Sequence, residues 1–465
     1  MTNSDVKVAY RAILAKRRAY NGLWKYYKGD QPLVYSVDLL EEVFKRAGTT
    51  FNENWCAVVV DSLLERLQMT RLTVTDSDEM TTALQTMMTA TELDLEEDSI
   101  HLATLVCGEA FLIAWLDANG NPEAYYNDPR LIHLEYDADN PHKKKWAAKM
   151  WSDHERWYMT LYYHDKIEKY MTKSLEAQED KAFVLMEEEG VENPVANPYG
   201  VIPVFHFRRV RHEIVSEIHN VTPIQDGINK LIADLMVAGE FGAFKQRWVI
   251  SNSDTTNLKN NPNAVWEIPA ASSDTQGTSV GQFDATDLSN FIDAIKAKVG
   301  SVSAISRTPH HFFFGTGQVP SGEALIALES PLNKKATRMA SILGRTWQQV
   351  ARFLFQLQGI EVPAELILPV WERPQTVQPK TEAEIRQISV SSGMPLVTVL
   401  RMQGWTQEQI DEMERDKSAE TAAQNNSLAK ALMAQQRAFD KNVGGDDNGD
   451  EVEEDNDEND ETGGK

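Results

Sequence analysis

Apolar residues recur at steps of three and four over two stretches in the second half of the chain, and this spacing predicts two helices. The first is predicted over 287–306 and the second over 323–357. Ser321 has the hydroxyl side chain that commonly caps a helix N-terminus. Pro331 lacks an amide hydrogen and should kink or offset the first turn. The apolar stripe of the second helix comprises Leu325, Leu328, Leu332, Ala336, Met339, Leu343, Trp347, Val350, Leu354 and Leu357.

The loop between these two helices combines aromatic residues with glycine. Residues 308–322 read TPHHFFFGTGQVPSG. Exposed aromatic rings forgo the free energy that burial provides, so this segment needs a partner to cover it.

Upstream, helical spacing alternates with strand spacing, which predicts an α+β domain with an antiparallel sheet over 1–210. Helices are predicted over 6–28, 54–67, 79–89 and 93–106. Strands are predicted over 71–75, 110–116, 131–136, 146–151, 157–163, 166–172, 183–187 and 202–207. The first helix ends in an aromatic and basic patch over 20–28. A docking patch, in which the rings pack and the lysines flank them, is favoured there over stacking on nucleic-acid bases.

A further helix is predicted over 222–244, with Thr222 and Gln225 in the positions of a capping box. Residues 245–285 then form a small insert of two or three short strands with polar turns. Because helices precede and follow the insert, we expect them to lie antiparallel with the insert at their far end. Downstream, 362–379 is proline-punctuated and extended. Short helices are predicted over 381–391, 395–402, 407–417 and 419–439.

Charge changes this picture at the C-terminal end. The chain has 465 residues and a formal net charge of -24, with a pI near 4.9. Residues 440–465 contain twelve Asp or Glu and two Lys, which is -10 of that total. This acidic, low-complexity end is expected to be disordered from about 442. A protein that grips DNA through its phosphates is basic where it grips, so the composition excludes tight wrapping of DNA.

Other compositional signals are weak. Cys56 and Cys107 have no motif spacing and are expected to be buried thiols in a reducing compartment. The first five residues are polar and acidic, which predicts no secretory signal. No uncharged apolar run has the length of a membrane span. The chain is therefore expected to be made in a cytoplasm and to stay soluble.

No catalytic, nucleotide or metal motif is found. Gly317 and Gly322 have the spacing of a phosphate loop, but Glu323 and Ala324 follow where Lys and Ser or Thr are needed. Two adjacent histidines in the loop point apart on an extended chain, and no further ligands complete a zinc set. The acidic tail has Asp460 where a calcium loop needs glycine. We expect no cofactor, no metal site and no enzymatic activity.

Basic residues follow one flank of the second helix. Seven-residue spacing places three arginines beside the apolar stripe, with two lysines before them. In a chain this acidic, salt bridges between subunits are favoured over DNA contact. The candidate contact residues are Lys334, Lys335, Arg338, Arg345 and Arg352.

In sum these segments resemble, in order, the portal proteins of tailed bacteriophages of the siphophage type. Each segment alone is weakly specific, and their order and spacing over nearly the whole chain carry the resemblance. The acidic tail has no counterpart that we assign. The matching segments are Tyr20 with 26–29, then 108–111, 200–205, 216–218, 223–230, 321–325 and 331–336.

The resemblance implies an α+β multi-domain portal fold, with an α+β wing containing an antiparallel sheet, a helical stem, a small α/β clip and a helical crown. The implied parts are the wing over 1–221, stem helices over 222–244 and 286–306, the clip over 245–285, the channel loop over 307–322, the long helix and its return to the wing over 323–380, the crown over 381–440 and a disordered acidic tail over 441–465. The implied channel-loop residues are His310, His311, Phe312, Phe313, Phe314, Gly315, Thr316, Gly317 and Gln318.

The resemblance also implies a structural role. Portal proteins form a homo-oligomeric ring, typically of about twelve copies, at one capsid vertex, through which double-stranded DNA is packaged and ejected. Implied partners are the terminase motor, the head–tail connector or adaptor, and the major capsid and scaffolding proteins, with no membrane. The implied location is the virion, after assembly in the host cytoplasm. On this basis the neighbouring subunit's loop would cover the aromatic run, and the lumen-facing edge of the loop would meet DNA. The resemblance leaves open whether Phe312 to Phe314 pack between subunits or line the lumen. The alternative hypothesis is an enzyme of phage DNA or cell-wall processing with an unrecognised carboxylate site.

Overall fold

The computed structural model describes residues 3–32, 52–177, 179–187, 192–242, 247–250, 279–282, 287–314, 321–374, 379–403, 405 and 407–443. The chain divides into two compact units, Met1–Thr376 and Val377–Lys465. The first unit contains the predicted α+β domain and the paired helices. No described helix has both the length and the apolar character needed to cross a membrane.

Four helices of the first unit lie close to their predicted positions. Three of them begin after a side chain that accepts a hydrogen bond from one of the first amides; for example, Asn3 accepts from the backbone of Asp5, at 3.0 Å. They are α1 (Ser4–Lys28), α2 (Trp55–Leu64), α3 (Asp78–Ala90) and α4 (Leu93–Cys107).

The strands form several small antiparallel sheets and not the single sheet that the alternation predicts. One sheet has the order β10, β2, β3. A larger sheet runs from β4 to β8 in sequence order, with β9 paired to β7. The strands are β2 (Glu109–Leu116), β3 (Pro122–Asn127), β4 (Ile132–Tyr136), β5 (Lys144–Ser152), β6 (Trp157–Tyr162), β7 (Lys166–Met171), β8 (Val184–Leu185), β9 (Val195–Ala196) and β10 (Val204–Arg208).

Strand β2 explains why the sheets are separate. Leu112 and its alternate neighbours pack into the large core with the helices, whereas Phe111 and Ile113 pack against the larger sheet. Both faces of β2 are therefore buried, which is why it reads as a continuous apolar run. A third sheet joins distant parts of the chain, because β1 (Met69–Val74) pairs antiparallel with β13 (Ile367–Trp371).

The start of β2 contains a buried carboxylate. Glu109 is 0% exposed and accepts hydrogen bonds from Lys16 and Tyr20, both at 2.6 Å, and from His206 at 2.8 Å. His206 in turn lies 2.9 Å from the Tyr136 hydroxyl. Gly108 precedes it with φ of 88°, and a Cβ there would lie 2.7 Å from the main chain of Val215. Only glycine fits this approach.

A helix of 36 residues, α7 (Gly322–Leu357), returns through the core. Trp347 is 0% exposed and donates a hydrogen bond from Nε1 to Nε2 of His101, at 3.0 Å. The Nδ1 atom of His101 lies 3.0 Å from the carbonyl oxygen of Leu67 and donates to it. Burial lowers the pKa of His101 to about 4, so the ring is neutral and holds one proton on Nδ1. Trp371 stacks on the same imidazole, with ring centroids 5.6 Å apart.

Gly344 allows α7 to lie against β13. A Cβ at this position would lie 2.8 Å from Cγ of Pro369 and 3.4 Å from Nε1 of Trp371. Gly344→Ala should destabilise the fold by about 1 kcal/mol, since overpacking costs about 1–3 kcal/mol and alanine recovers about 1 kcal/mol of helix propensity. Thermal unfolding measures this. The control Gly22→Ala, where nothing lies within 4 Å of the new Cβ, should stabilise α1. A higher melting temperature for both variants would contradict the packing argument.

The remaining elements of the first unit are the paired helices and short pieces around them. They are α5 (Thr222–Gly242), β11 (Arg247–Ile250), β12 (Ser279–Gln282), α6 (Ser289–Ser306) and 3-10 turns over His310–Phe312 and Ala364–Leu366. The second unit contains α8 (Pro379–Ser391), α9 (Leu396–Met402) and α10 (Gln407–Val443).

One prediction in the second unit is wrong. The two helices predicted over 407–417 and 419–439 are a single helix, α10. Ser418 lies between the two predicted segments, and a serine side chain can compete for backbone hydrogen bonds within a helix. In the structure its hydroxyl donates to the carbonyl oxygen of Arg415, at 2.7 Å, so the side chain is satisfied within the helix. The predicted acidic tail lies outside the described residues from 444 onward.

Candidate functional site

Helices α5 and α6 pack against each other. The strands β11 and β12 follow the first helix and precede the second, and they pair antiparallel with Trp248 opposite Gly281. This pairing brings the end of α5 close to the start of α6, so the helices run antiparallel with the strands at their far end, as the sequence predicts. Most of the predicted insert over 245–285 lies outside the described residues.

The near end of α5 is joined to the helical core by two amide side chains. Gln225 is 0% exposed; its oxygen accepts from the backbone N–H of Trp55 at 2.9 Å, and its nitrogen donates to the carbonyl of Glu53 at 2.6 Å. Asn229 accepts from the backbone N–H of Glu53 at 3.2 Å. The predicted capping box is therefore not formed. The Gln225 side chain binds the main chain of residues 53 and 55, and the Thr222 hydroxyl donates to the carbonyl of His219.

The aromatic patch at the end of α1 also contacts this region. The Tyr26 hydroxyl lies 2.8 Å from both carboxylate oxygens of Asp226 in α5. The Tyr27 hydroxyl donates to Asp61 in α2 at 2.9 Å. Burial, followed by these hydrogen bonds, raises the pKa of both phenols, Tyr27 to about 12. The docking role predicted for this patch is confirmed.

The first part of the aromatic loop is a compact turn. Arg307 ends α6 in the left-handed region, with φ of 61°. Ser303 donates to the carbonyl of Thr308 at 2.7 Å, and the Thr308 amide donates to Ser306 Oγ at 3.3 Å. These bonds turn the chain into the 3-10 segment His310–Phe312.

The aromatic run packs on α2 of the same chain. Phe313 is 6% exposed and its ring centroid lies 5.4 Å from that of Trp55; the Phe314 ring lies 6.4 Å from the same tryptophan. Contacts within the chain therefore bury Phe313 and half-bury Phe312 and Phe314, so part of the cover that the run needs comes from its own chain. Gly315 to Gln318 lie outside the described residues, as do 319 and 320.

Arg66 connects this turn with the long helix. Its guanidinium lies 5.3 Å from the Phe312 ring centroid and donates to Asn333 at 3.0 Å and to Glu329 at 3.2 Å. His311 Nε2 lies 3.5 Å from the other oxygen of Glu329. Planar guanidinium geometry suits simultaneous stacking and carboxylate binding, so Arg66, which follows the end of α2, links the turn to α7.

Helix α7 has two parts that differ in burial. Ser321 caps it as predicted, accepting a hydrogen bond from the Ala324 amide at 3.3 Å. The predicted stripe is buried from Leu332 to Leu357, but Leu328 is 52% exposed. Pro331 lies at the boundary, and the helix continues through it. The first turns of α7 therefore present an apolar stripe that this chain does not bury.

The basic flank of α7 contains exposed residues and one buried lysine. Lys334, Arg338, Arg345 and Arg352 are exposed. Lys335 is half-buried, binds the carboxylate of Glu217 and donates to the carbonyl of Ser306 at 2.8 Å. The Lys335 ammonium is therefore bound within the chain. The charged groups of the four exposed residues are available to a partner.

Candidate chemistry is sparse in the described part of the chain. No group of three or more His, Cys, Asp or Glu side chains is placed to hold a metal ion there. The partners of the buried Glu109 carboxylate hold it ionised. The buried thiols of Cys56 and Cys107 have raised pKa values because of burial, to about 12 for Cys56, which disfavours the reactive thiolate. These groups stabilise the fold.

Comparisons with known proteins all point to phage portal proteins, and the family match covers most of the chain. A family model described as phage portal protein, SPP1 Gp6-like, matches residues 11–425. A portal protein of Mycobacterium phage D29 is 33% identical over 101 residues, which is 21% of each chain. A portal protein of Mycobacterium phage L5 is 27% identical over 150 residues, 31% of each chain. The aligned regions thus span less than a third of either relative.

Proposed function

The chain belongs to the SPP1 Gp6-like family of phage portal proteins, and from this membership we propose that it forms the ring-shaped conduit at one capsid vertex. The proposed role is structural and not enzymatic. The conduit takes in DNA during packaging and releases it during ejection. Its location is the virion, after assembly in the host cytoplasm.

The observation that supports this proposal most is the order of elements in the central part of the chain. An α+β domain is followed by an antiparallel helix pair with short paired strands at its end, then by an aromatic turn and a 36-residue helix. We assign the wing to the α+β domain, the stem to α5 and α6, and the clip to the strands between them. The helices of the second unit form the crown.

The described contacts support a narrower assignment for the channel loop. Phe313 and Phe314 pack on Trp55 at the start of α2, so we assign the channel loop to Gly315 to Gln318 together with 319 and 320. A ring conduit must surround DNA without holding it, and an acidic chain repels phosphate while loops make brief contacts. Arg345 and Arg352, which are exposed on α7, then serve contacts between subunits.

The proposed partners follow from the same role. Further copies of the chain close the ring through a head-to-tail contact. The terminase motor and later the connector bind at the clip end, and the major capsid and scaffolding proteins surround the ring. The motor supplies ATP hydrolysis, since the sequence has no phosphate loop.

A shortened loop tests both the ring and the channel assignment. Deletion of Gly315 to Gln318 should leave ring assembly intact, because the aromatic turn keeps its contacts with Trp55 and Arg66. DNA packaging by phage carrying the variant should fail. Ring assembly is measured by negative-stain microscopy and light scattering of the purified full chain, and packaging by DNA protected in particles. Thr316→Ser is the matched control and should preserve both.

Packaging by the deletion variant and the oligomeric state of the wild type test the loop assignment and the ring separately. Full packaging by the deletion variant would overturn the loop assignment and leave the ring proposal standing. A wild-type chain that stays monomeric at every concentration and salt would count against the ring itself.

A further inference from the structure

A cavity of about 370 Å³ lies where the segment after β10, the end of α6 and the middle of α7 meet. Its polar lining includes Arg209, Glu217, Arg307, Lys335 and Arg338. Four cationic side chains therefore face one carboxylate. This is an unusual concentration of positive charge in a chain whose formal net charge is -24.

The single carboxylate is already shared by two of the four cations. Arg209 donates to one oxygen of Glu217 at 3.1 Å, and Lys335 binds the other. Burial lowers the pKa of Lys335; the carboxylate opposes this, and the charges of Arg209 and Arg307 lower it further. The cavity thus has an excess of positive charge that its own carboxylate does not balance.

The other two cations have no such partner. Arg307 and Arg338 are exposed, and no carboxylate in the described part of the chain lies within 4 Å of either guanidinium. Arg307 also adopts φ of 61°, a left-handed conformation that glycine takes at lower cost at the end of a helix. An arginine in this position sacrifices stability and places its side chain at the cavity.

We propose that this cavity is a binding site for a phosphate-class oxyanion. Guanidinium groups match the geometry of phosphate oxygens and form charge-assisted hydrogen bonds with them. A phosphate dianion balances more of the excess charge than a single carboxylate does. The inference does not depend on the proposed function.

Two sources supply such a group, namely free phosphate and the backbone phosphate of a nucleic acid. The experiment uses inorganic phosphate as the first probe, added to the purified full chain at constant ionic strength and compared with chloride. Binding is followed by isothermal titration calorimetry and by the rise in melting temperature. We expect saturable binding of phosphate that chloride does not reproduce.

Two variants test the lining residues. Arg338→Gln should weaken phosphate binding about tenfold, the effect of losing one charge-assisted hydrogen bond. Arg307→Gly should weaken it similarly while raising the melting temperature without phosphate, because glycine relieves the left-handed strain. A merely structural role for Arg307 predicts the opposite change in stability. Arg352→Gln, an exposed arginine on the same helix outside the cavity, is the matched control and should bind as the wild type does.

Equal effects of phosphate and chloride, or an equal loss in Arg352→Gln and Arg338→Gln, would overturn the site. A second titration with a short DNA duplex distinguishes the sources. If Arg338→Gln weakens duplex binding and Arg352→Gln does not, the bound group is a backbone phosphate. If phosphate binds and the duplex does not, the ligand is a free oxyanion.

Discussion

Glu109→Gln should lower the free energy of unfolding by about 3 kcal/mol, because it removes the counter-charge of Lys16 within the fold. The amide has nearly the same shape as the carboxylate, so the change isolates charge from volume. Tyr20 and His206 both donate to this group and lose an ionised acceptor as well. Urea unfolding followed by tryptophan fluorescence measures the difference.

The matched control is Glu155→Gln. Glu155 pairs with Arg156 at 3.3 Å, but its side chain is 75% exposed, so solvent screens the pair. We expect a change below about 0.5 kcal/mol. Equal effects of the two substitutions would show that burial of Glu109 does not control its contribution.

The same carboxylate predicts a dependence on pH. Burial alone raises the pKa of Glu109, but Lys16 and His206 outweigh burial and hold the pKa at about 2, below the ordinary value of 4.5. A depressed pKa contributes stability that is present above about pH 4.5 and is lost as the pH falls toward 2. Glu109→Gln should therefore flatten the loss of stability over that window. An unchanged slope in the variant would contradict the assigned pKa.

Trp347→Ala should destabilise the first unit by about 4 kcal/mol, the cost of emptying a fully buried indole site. It also removes the Trp347 Nε1–H group that donates to Nε2 of His101, whose ring is neutral and buried. Trp347→Phe keeps most of the volume and removes the donor alone, so we expect a smaller loss of about 1–3 kcal/mol. Denaturant unfolding of both variants separates packing from the hydrogen bond.

Trp151→Ala controls for the loss of a tryptophan as such. Trp151 is 39% exposed and stacks on Tyr158 with ring centroids 4.3 Å apart. We expect a loss of about 1 kcal/mol from that contact. If Trp151→Ala lowered the free energy of unfolding as much as Trp347→Ala, burial of the indole would not explain the effect of Trp347→Ala.

Local patterns in the sequence predicted the elements well. Ser321 caps α7 as its hydroxyl predicts, and the apolar stripe of that helix is buried from Leu332 onward. Periodicity carries such information because side chains three and four residues apart share one face. The stripe before Pro331 follows the same spacing but is not buried, since spacing alone does not identify the surface that a face meets.

Contacts between distant residues were the ones that the sequence did not reveal. Glu109 and Lys16 are 93 residues apart, and Lys335 and Glu217 are 118 apart. A charged residue in a sequence is usually exposed, so its burial is known only once the fold places a partner beside it. The cavity lined by Arg209, Arg307 and Arg338 was missed for the same reason.

The aromatic loop shows how a local pattern is interpreted too broadly. Its rings did require cover, and the structure supplies it through Trp55, which lies 258 positions before Phe313 in the sequence. Nothing in the spacing of either segment connects them.

The join between α5 and the helical core constrains how this sequence can diverge. Gln225 and Asn229 bind main-chain atoms of residues 53 and 55, and every amino acid except proline offers the same amide and carbonyl groups. Substitutions of the Glu53 side chain therefore leave the join intact, whereas substitutions of Gln225 or Asn229 remove it. Among relatives that keep this join, we expect the side chains at 53 and 55 to vary and Gln225 and Asn229 to stay the same.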